Sequence, residues 1–200
     1  MIELMTIIEM AAVILGLLSV YFTVKQNIWC WPTGLAMVVL YIYIFANAKL
    51  YSDMIENAIY IGLQAYGWYH WVYGGRKKNQ LPVSRLNAKG IILWSAVIII
   101  GTAIVGYFMS NYTDASLAYP DAFTTVMSLV AQWLMSRKIL ENWVLWITVD
   151  VLVLGIYSVK HLYMTTGLYA LFLILATMGL IAWYKSMKKE KKTASLVFVA

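Results

Sequence analysis

The chain has 200 residues, 62% of them hydrophobic and 12% charged, with a mean hydropathy of +0.74. A soluble domain is nearer 45–50% apolar and about 25% charged, so the composition is that of a membrane protein with no room for a soluble catalytic domain. The net charge of +6 does not point to nucleic acid, because the basic residues sit at helix ends and in short loops, and the single cysteine, Cys30, excludes an intrachain disulfide.

Hydropathy predicts helical spans at about 5–24, 28–48, 51–73, 90–109, 120–136, 142–159 and 162–184. The apolar runs are continuous, without the two-residue alternation of an outer-membrane barrel. The first span is preceded by "MIELMTIIEM", which carries Glu3 and Glu9 in place of the basic n-region of a signal peptide. We read it as the lead-in to a retained helix. Span 2 opens on "NIWCWPTG", where Pro32 starts or kinks the helix. In span 3, Asn57, Tyr60, Gln64 and Trp71 form a polar and aromatic stripe, with Glu56 beside it. Span 4 is a connector, and the loop after it, "SNYTDASLAYPD", holds no basic residue.

Span 6 carries the feature that is hardest to reconcile with lipid. Trp143, Trp146 and Asp150 fall at i, i+3 and i+7, on one helical face. At 1.5 Å per residue Asp150 lies about 12 Å into its span, near the midplane. An ionised carboxylate there costs at least a few kcal/mol, so it is expected to face the interior and serve function. Aromatic faces with a carboxylate suit a flat organic cation, and amides such as Asn57 and Gln64 suit its ring nitrogens, amine or hydroxyls. The structural alternatives are that Asn57 and Gln64 join helices, and that Trp29, Trp31, Tyr69, Trp183, Tyr184 and even Trp143 form interfacial belts. His70 and His161 read as polar caps, and Asp53 as a partner for Lys49. The tail from residue 186 to 200 is expected to be mobile or to lie on the membrane, its "SLVFVA" end being too short to span.

Seven spans put the termini on opposite sides. With the N-terminus outside, Lys25, Arg76, Lys77, Lys78, Arg85, Lys89, Arg137, Lys138, Lys185, Lys188, Lys189, Lys191 and Lys192 are cytoplasmic. That is 13 of 15 basic residues, leaving Lys49 and Lys160 outside, as the positive-inside rule requires. Spans 2–3 and 6–7 also echo each other: "NIWCW" answers "NWVLW", "AKLY" answers "KHLY" and "GWY" answers "AWY", at offsets of 112 to 115. The domain reading is one bundle over residues 1–185, with parallel repeats at about 5–73 and 120–184 and a connector at about 90–109. A three-plus-one-plus-three transporter of this kind places its site between the halves.

"WPTGL", "KLYSDMIENAIYIGLQAYGWYHW" and "ENWVLWITVDV…IYSVKHLY" resemble the PnuC-type bacterial vitamin transporters. The resemblance implies seven-helix protomers of the bacterial inner membrane, related to the SWEET fold and usually trimeric. They move unphosphorylated B-type vitamins by facilitated diffusion, and a cytoplasmic kinase traps the cargo. Against the pattern of the nicotinamide riboside transporters in that family, Asn57 stands for Gln, Gln64 for Asn and Asp150 for Asn, while Glu56 replaces an apolar residue. The added acids favour thiamine, a permanent cation with an aminopyrimidine, over nicotinamide riboside and then riboflavin. The expected binding set is Asp150, Trp143, Trp146, Asn57, Gln64, Glu56 and Tyr60.

No cofactor or metal is expected, and no Walker lysine motif, nucleophile motif or metal-ligand spacing supports an enzyme or an ATP-driven pump. The expected mechanism is uniport driven by the membrane potential. Proton symport through Asp150 or Glu56 is the alternative.

Overall fold

The computed structural model describes residues 2–48, 51–74, 81–113, 117–159 and 163–197. Among them are seven α-helices: α1 (Ile2–Val24), α2 (Cys30–Ala48), α3 (Tyr51–Tyr73), α4 (Ala88–Tyr112), α5 (Ala118–Ser136), α6 (Asn142–Val159) and α7 (Tyr163–Val197). Their starts match the hydropathy spans to within a few residues. The exception is the far end of α7, which runs unbroken past Tyr184 to Val197 with Met187 buried. Lys49, Arg76, Lys77, Lys78, Lys160 and His161 lie outside the described residues, as do parts of the "AKLY" and "KHLY" words.

Local chemistry accounts for the helix limits. Pro32 sits in the first turn of α2, where a missing N–H does no harm. The Asn87 side chain accepts the Gly90 N–H at 2.8 Å and caps α4. Two helices end on left-handed residues that are not glycine: Gln26 after α1, with φ 53°, and Lys138 after α5, with φ 51°. Each such residue costs about 1 kcal/mol or more, so tertiary contacts must hold it.

Contacts run α1–α2–α3–α5–α6–α7 and return from α7 to α1, closing a ring of six helices, while α4 packs on α5. The outward face of α4 is apolar, with Ile92, Ile99 and Ile100 exposed. Among the described residues, four helical stretches are long and apolar enough to cross a membrane: Leu4–Val24, Cys30–Asn47, Ala88–Tyr112 and Thr166–Glu190. Asn142–Ile156 in α6 is a shorter apolar helix. α3 and α5 fall short because they carry polar residues on the faces they turn into the ring.

The ring has an internal register. α2 and α6, and likewise α3 and α7, begin 112 positions apart. Gln26 and Lys138 hold the same separation and meet, Lys138 Nζ donating to Gln26 Oε1 at 3.3 Å. At the same spacing, Trp31 and Trp143, and Trp71 and Trp183, form one buried cluster. The Trp71 indole donates to the Met135 carbonyl (3.2 Å) and the Trp183 indole to the Thr23 carbonyl (2.9 Å), each bond crossing between the two sets of three helices.

Two glycines make this cluster possible. A Cβ on Gly67 would overlap the Trp31 ring, and one on Gly179 would overlap the Trp143 ring. Both rings are buried and cannot swing aside. Gly67→Ala and Gly179→Ala are therefore each expected to destabilise the protein by about 1–3 kcal/mol through overpacking. Gly62→Ala, where nothing lies within 4 Å, should be neutral or slightly stabilising. Thermal unfolding of the detergent-purified variants measures the difference.

Candidate functional site

The ring encloses a cavity of about 420 Å³, within the usual range for small-molecule sites. α3 presents Asp53, Glu56, Asn57, Tyr60 and Gln64 to it, a stripe spaced by three and four residues. α6 presents Trp143, Trp146, Val149 and Asp150, and α5 adds Ser128 and Gln132. Ser19, Tyr41, Tyr169 and Phe172 complete the wall from α1, α2 and α7. Gly34 of α2 leaves the space that the Gln64 amide occupies, since a Cβ there would stand 2.5 Å from Nε2.

Glu56, Tyr60 and Ser128 bond one another, but other polar groups in this wall have no partner within it. Asp150 is 5% exposed, and among the described residues its carboxylate has no ion-pair partner. Gln64 Oε1, Gln132 Nε2 and Trp143 Nε1 are buried with no hydrogen-bond partner. Groups left in that state each cost about 1–3 kcal/mol, which a ligand with matching donors and acceptors removes. Asn57 is partly committed, its amide donating to the Asp53 carbonyl at 2.9 Å. No three His, Cys, Asp or Glu side chains converge to hold a metal ion among the described residues.

At the end of the bundle where the Lys- and Arg-bearing turns gather, the four-tryptophan cluster closes the cavity. Trp31 meets Trp71 edge to face with centroids 5.2 Å apart, Trp71 meets Trp183 at 5.9 Å, and Trp183 meets Trp143 edge to face at 5.4 Å. Trp143 belongs to both the cluster and the cavity wall.

Comparison with known proteins decides the family. The family model described as "Nicotinamide mononucleotide transporter" matches residues 6–185. The nicotinamide riboside transporter PnuC of Escherichia coli (strain K12) is 26% identical over 213 residues, covering 94% of this chain and 89% of that one. The riboflavin/roseoflavin transporter RibM of Streptomyces davaonensis is 24% identical over 190 residues, covering 92% and 87%. The crystal structure of the vitamin B3 transporter PnuC superposes with a TM-score of 0.72 at 28% identity, over 90% of this chain and 81% of that one.

The chain belongs to the PnuC family. It is a vitamin transporter and not an enzyme.

Within this PnuC-family ring, all seven residues expected from the sequence line the one cavity: Glu56, Asn57, Tyr60, Gln64, Trp143, Trp146 and Asp150. Trp71, placed on the same α3 stripe by periodicity, is instead in the tryptophan cluster, about two turns beyond Gln64, the last α3 residue of the cavity wall. Trp29, Tyr69 and Tyr184 are exposed, as a belt needs, whereas Trp31, Trp143 and Trp183 are buried inside the bundle and cannot form one. His70 is more than a polar cap: its ring stacks on Tyr66 at 5.5 Å, and Tyr66 stacks on Trp133 at 5.0 Å. Sequence reasoning passed over α5. The signal was present in "SLVAQ", where Ser128 and Gln132 sit four apart on one face of an apolar helix.

Gln132→Leu keeps the volume but removes the unpaired amide. It is expected to weaken cargo binding by about 1–3 kcal/mol, roughly 5- to 150-fold, while leaving thermal stability unchanged or raised. Cargo titration beside thermal unfolding of the same sample checks both halves of this statement.

Proposed function

We propose that the protein is a uniporter for a flat, cationic, unphosphorylated B vitamin, and that nicotinamide riboside is its cargo. The observation that carries the cationic part of this reading is the unpaired Asp150 carboxylate beside Trp143 and Trp146 in the central cavity; the acid suits thiamine equally, and the choice of nicotinamide riboside rests on the relatives. A pyridinium ring gains from both the aromatic faces and the charge. Gln64 Oε1 and Gln132 Nε2 supply one acceptor and one donor for an amide or for ribose hydroxyls. The relatives named as nicotinamide riboside transporters support the same choice. Thiamine is the second reading, favoured by the presence of both Glu56 and Asp150 in the wall. Riboflavin, the cargo in the name of one relative, is neutral and gains least from two acids.

The remaining parts of the reading fit the same physics. All seven helices cross the bacterial inner membrane, α3, α5 and α6 hiding their polar faces in the ring. The N-terminus is outside, which puts Lys25, Arg85, Lys89, Arg137, Lys138 and the basic residues of late α7 in the cytoplasm. The 112-residue register supports two parallel repeats, α1–α3 and α5–α7, joined by α4. The apolar outer face of α4 is available to lipid or to a neighbouring protomer in a trimer. A monovalent cation entering a negative-inside cell gains about 2.3 kcal/mol per 100 mV, so no coupled ion is needed. Phosphorylation by a cytoplasmic kinase would then trap the cargo.

Titration of the purified protein with nicotinamide riboside, thiamine and riboflavin, followed by tryptophan fluorescence, tests the cargo. Nicotinamide riboside should bind most tightly, and Asp150→Asn should weaken it about tenfold or more by removing the charge. Thiamine binding without nicotinamide riboside would install the second reading, and an unchanged affinity in Asp150→Asn would end the role given to that acid. In liposomes, cargo should equilibrate at the same rate with or without an imposed pH gradient and accumulate only under a membrane potential. Accumulation driven by the pH gradient alone would replace uniport with proton symport.

A further inference from the structure

A second cavity, of about 700 Å³, lies beyond the tryptophan cluster at the basic end of the bundle and shares no lining residue with the central cavity. Its wall combines Lys25, Gln26, Lys138, Trp71, Ser186 and Glu190, drawn from the α1–α2 and α5–α6 turns, α3 and α7. The unusual member is Lys138. It is 3% exposed, it stands on a left-handed turn, and its ammonium lies 4.4 Å above the centre of the Trp71 ring.

An ammonium has three N–H donors. Among the described residues, that of Lys138 has one hydrogen-bond acceptor, Gln26 Oε1 at 3.3 Å, and no ion pair. Burial pushes the group down to about 8, with Glu190 opposing the shift, so at neutral pH it is still mainly a cation. A buried cation in that state is undercompensated, and it lines an open cavity. Glu190, the acid in the wall, accepts a hydrogen bond from Ser186 Oγ at 3.2 Å and forms no ion pair with Lys138. Lys25 adds a second positive charge to the wall from an exposed position.

We propose that this cavity is a second ligand site, taking a phosphate-bearing anion with an apolar or aromatic body. Lys138 and Lys25 contact the phosphate, and the Trp71 edge of the tryptophan cluster contacts the body. Lysine binds phosphate as a point charge, and the tetrahedral group offers enough acceptors for both ammonium groups at once. The volume exceeds what inorganic phosphate fills, and apolar Ile28, Leu81 and Pro82 in the wall leave room for an organic portion. The occupant bridges the turns that follow α1 and α5 and the last turns of α7, so it holds the tryptophan cluster together from the basic side. The proposal goes beyond the transport reading and does not depend on which vitamin is carried.

Phenyl phosphate is a suitable probe, titrated by calorimetry into protein in neutral-lipid nanodiscs, with inorganic phosphate and phenol in parallel. Saturable binding of phenyl phosphate is expected, with inorganic phosphate weaker and phenol absent. Lys138→Gln should weaken it about tenfold or more, the scale of one lost charge-assisted hydrogen bond. Lys25→Glu, at an exposed position that leaves the fold intact, should weaken it several-fold even if Lys138→Gln does not fold. Asp150→Asn should leave phenyl phosphate binding unchanged, which separates this site from the cargo cavity. Nanodiscs containing phosphatidylglycerol distinguish the sources. Lost phenyl phosphate binding there assigns the site to a lipid headgroup, and retained binding assigns it to a soluble phosphomonoester. No saturable binding, or equal binding by Lys25→Glu, overturns the proposal.

Discussion

The structure depends on two crossed indole bonds. Trp71 of α3 donates to the Met135 carbonyl in the last turn of α5, and Trp183 of α7 donates to the Thr23 carbonyl in the last turn of α1. Carbonyls in a last turn lack their helical partner. Here each is shared with the left-handed residue that follows: Gln26 N–H reaches Thr23 O at 2.9 Å, and Lys138 N–H reaches Met135 O at 3.0 Å. In lipid there is no hydrophobic drive between helices, so packing and hydrogen bonds of this kind must do the joining. The same carbonyls thus stop two helices, fix two turns and tie one set of three helices to the other.

Once the ring is closed, the distribution of polarity follows. The outer faces meet lipid and are apolar, as on α4. The polar side chains of α3, α5 and α6 have nowhere to go but the centre, where they find too few partners among themselves. Asp150, Gln64 and Gln132 are left with capacity unused because the wall around them is aromatic and aliphatic. A carrier needs that incompleteness. A site that satisfied its own polar groups would gain nothing by admitting a cargo and would have no reason to reopen after releasing it.

Much of this was legible from residues alone. Span limits came from hydropathy because helix length and lipid thickness impose them jointly. Asp150 announced itself because an acid in the middle of an apolar span has few explanations, and Trp143 and Trp146 followed by periodicity. Other features were hidden for identifiable reasons. Nearness to a span end cannot say whether a tryptophan turns outward or inward, so Trp31 and Trp183 read like Trp29 although the rotation of their helices buries them. The matched words drifted between offsets of 112 and 115 because a slip of three residues is nearly one helical turn and preserves the face. Gln132 stood in a helix whose other residues raised no question, and only the closure of the ring shows which wall it completes.

Trp143 has a consequence of its own. One ring forms part of the wall of the central cavity and part of the tryptophan cluster beneath it, and the bare backbone of Gly179 leaves that ring its space. A molecule arriving against the indole therefore touches the seal directly. Any coupling between occupancy of the cavity and opening of the cluster would need no relay along a helix, because the distance to cover is the thickness of a single side chain.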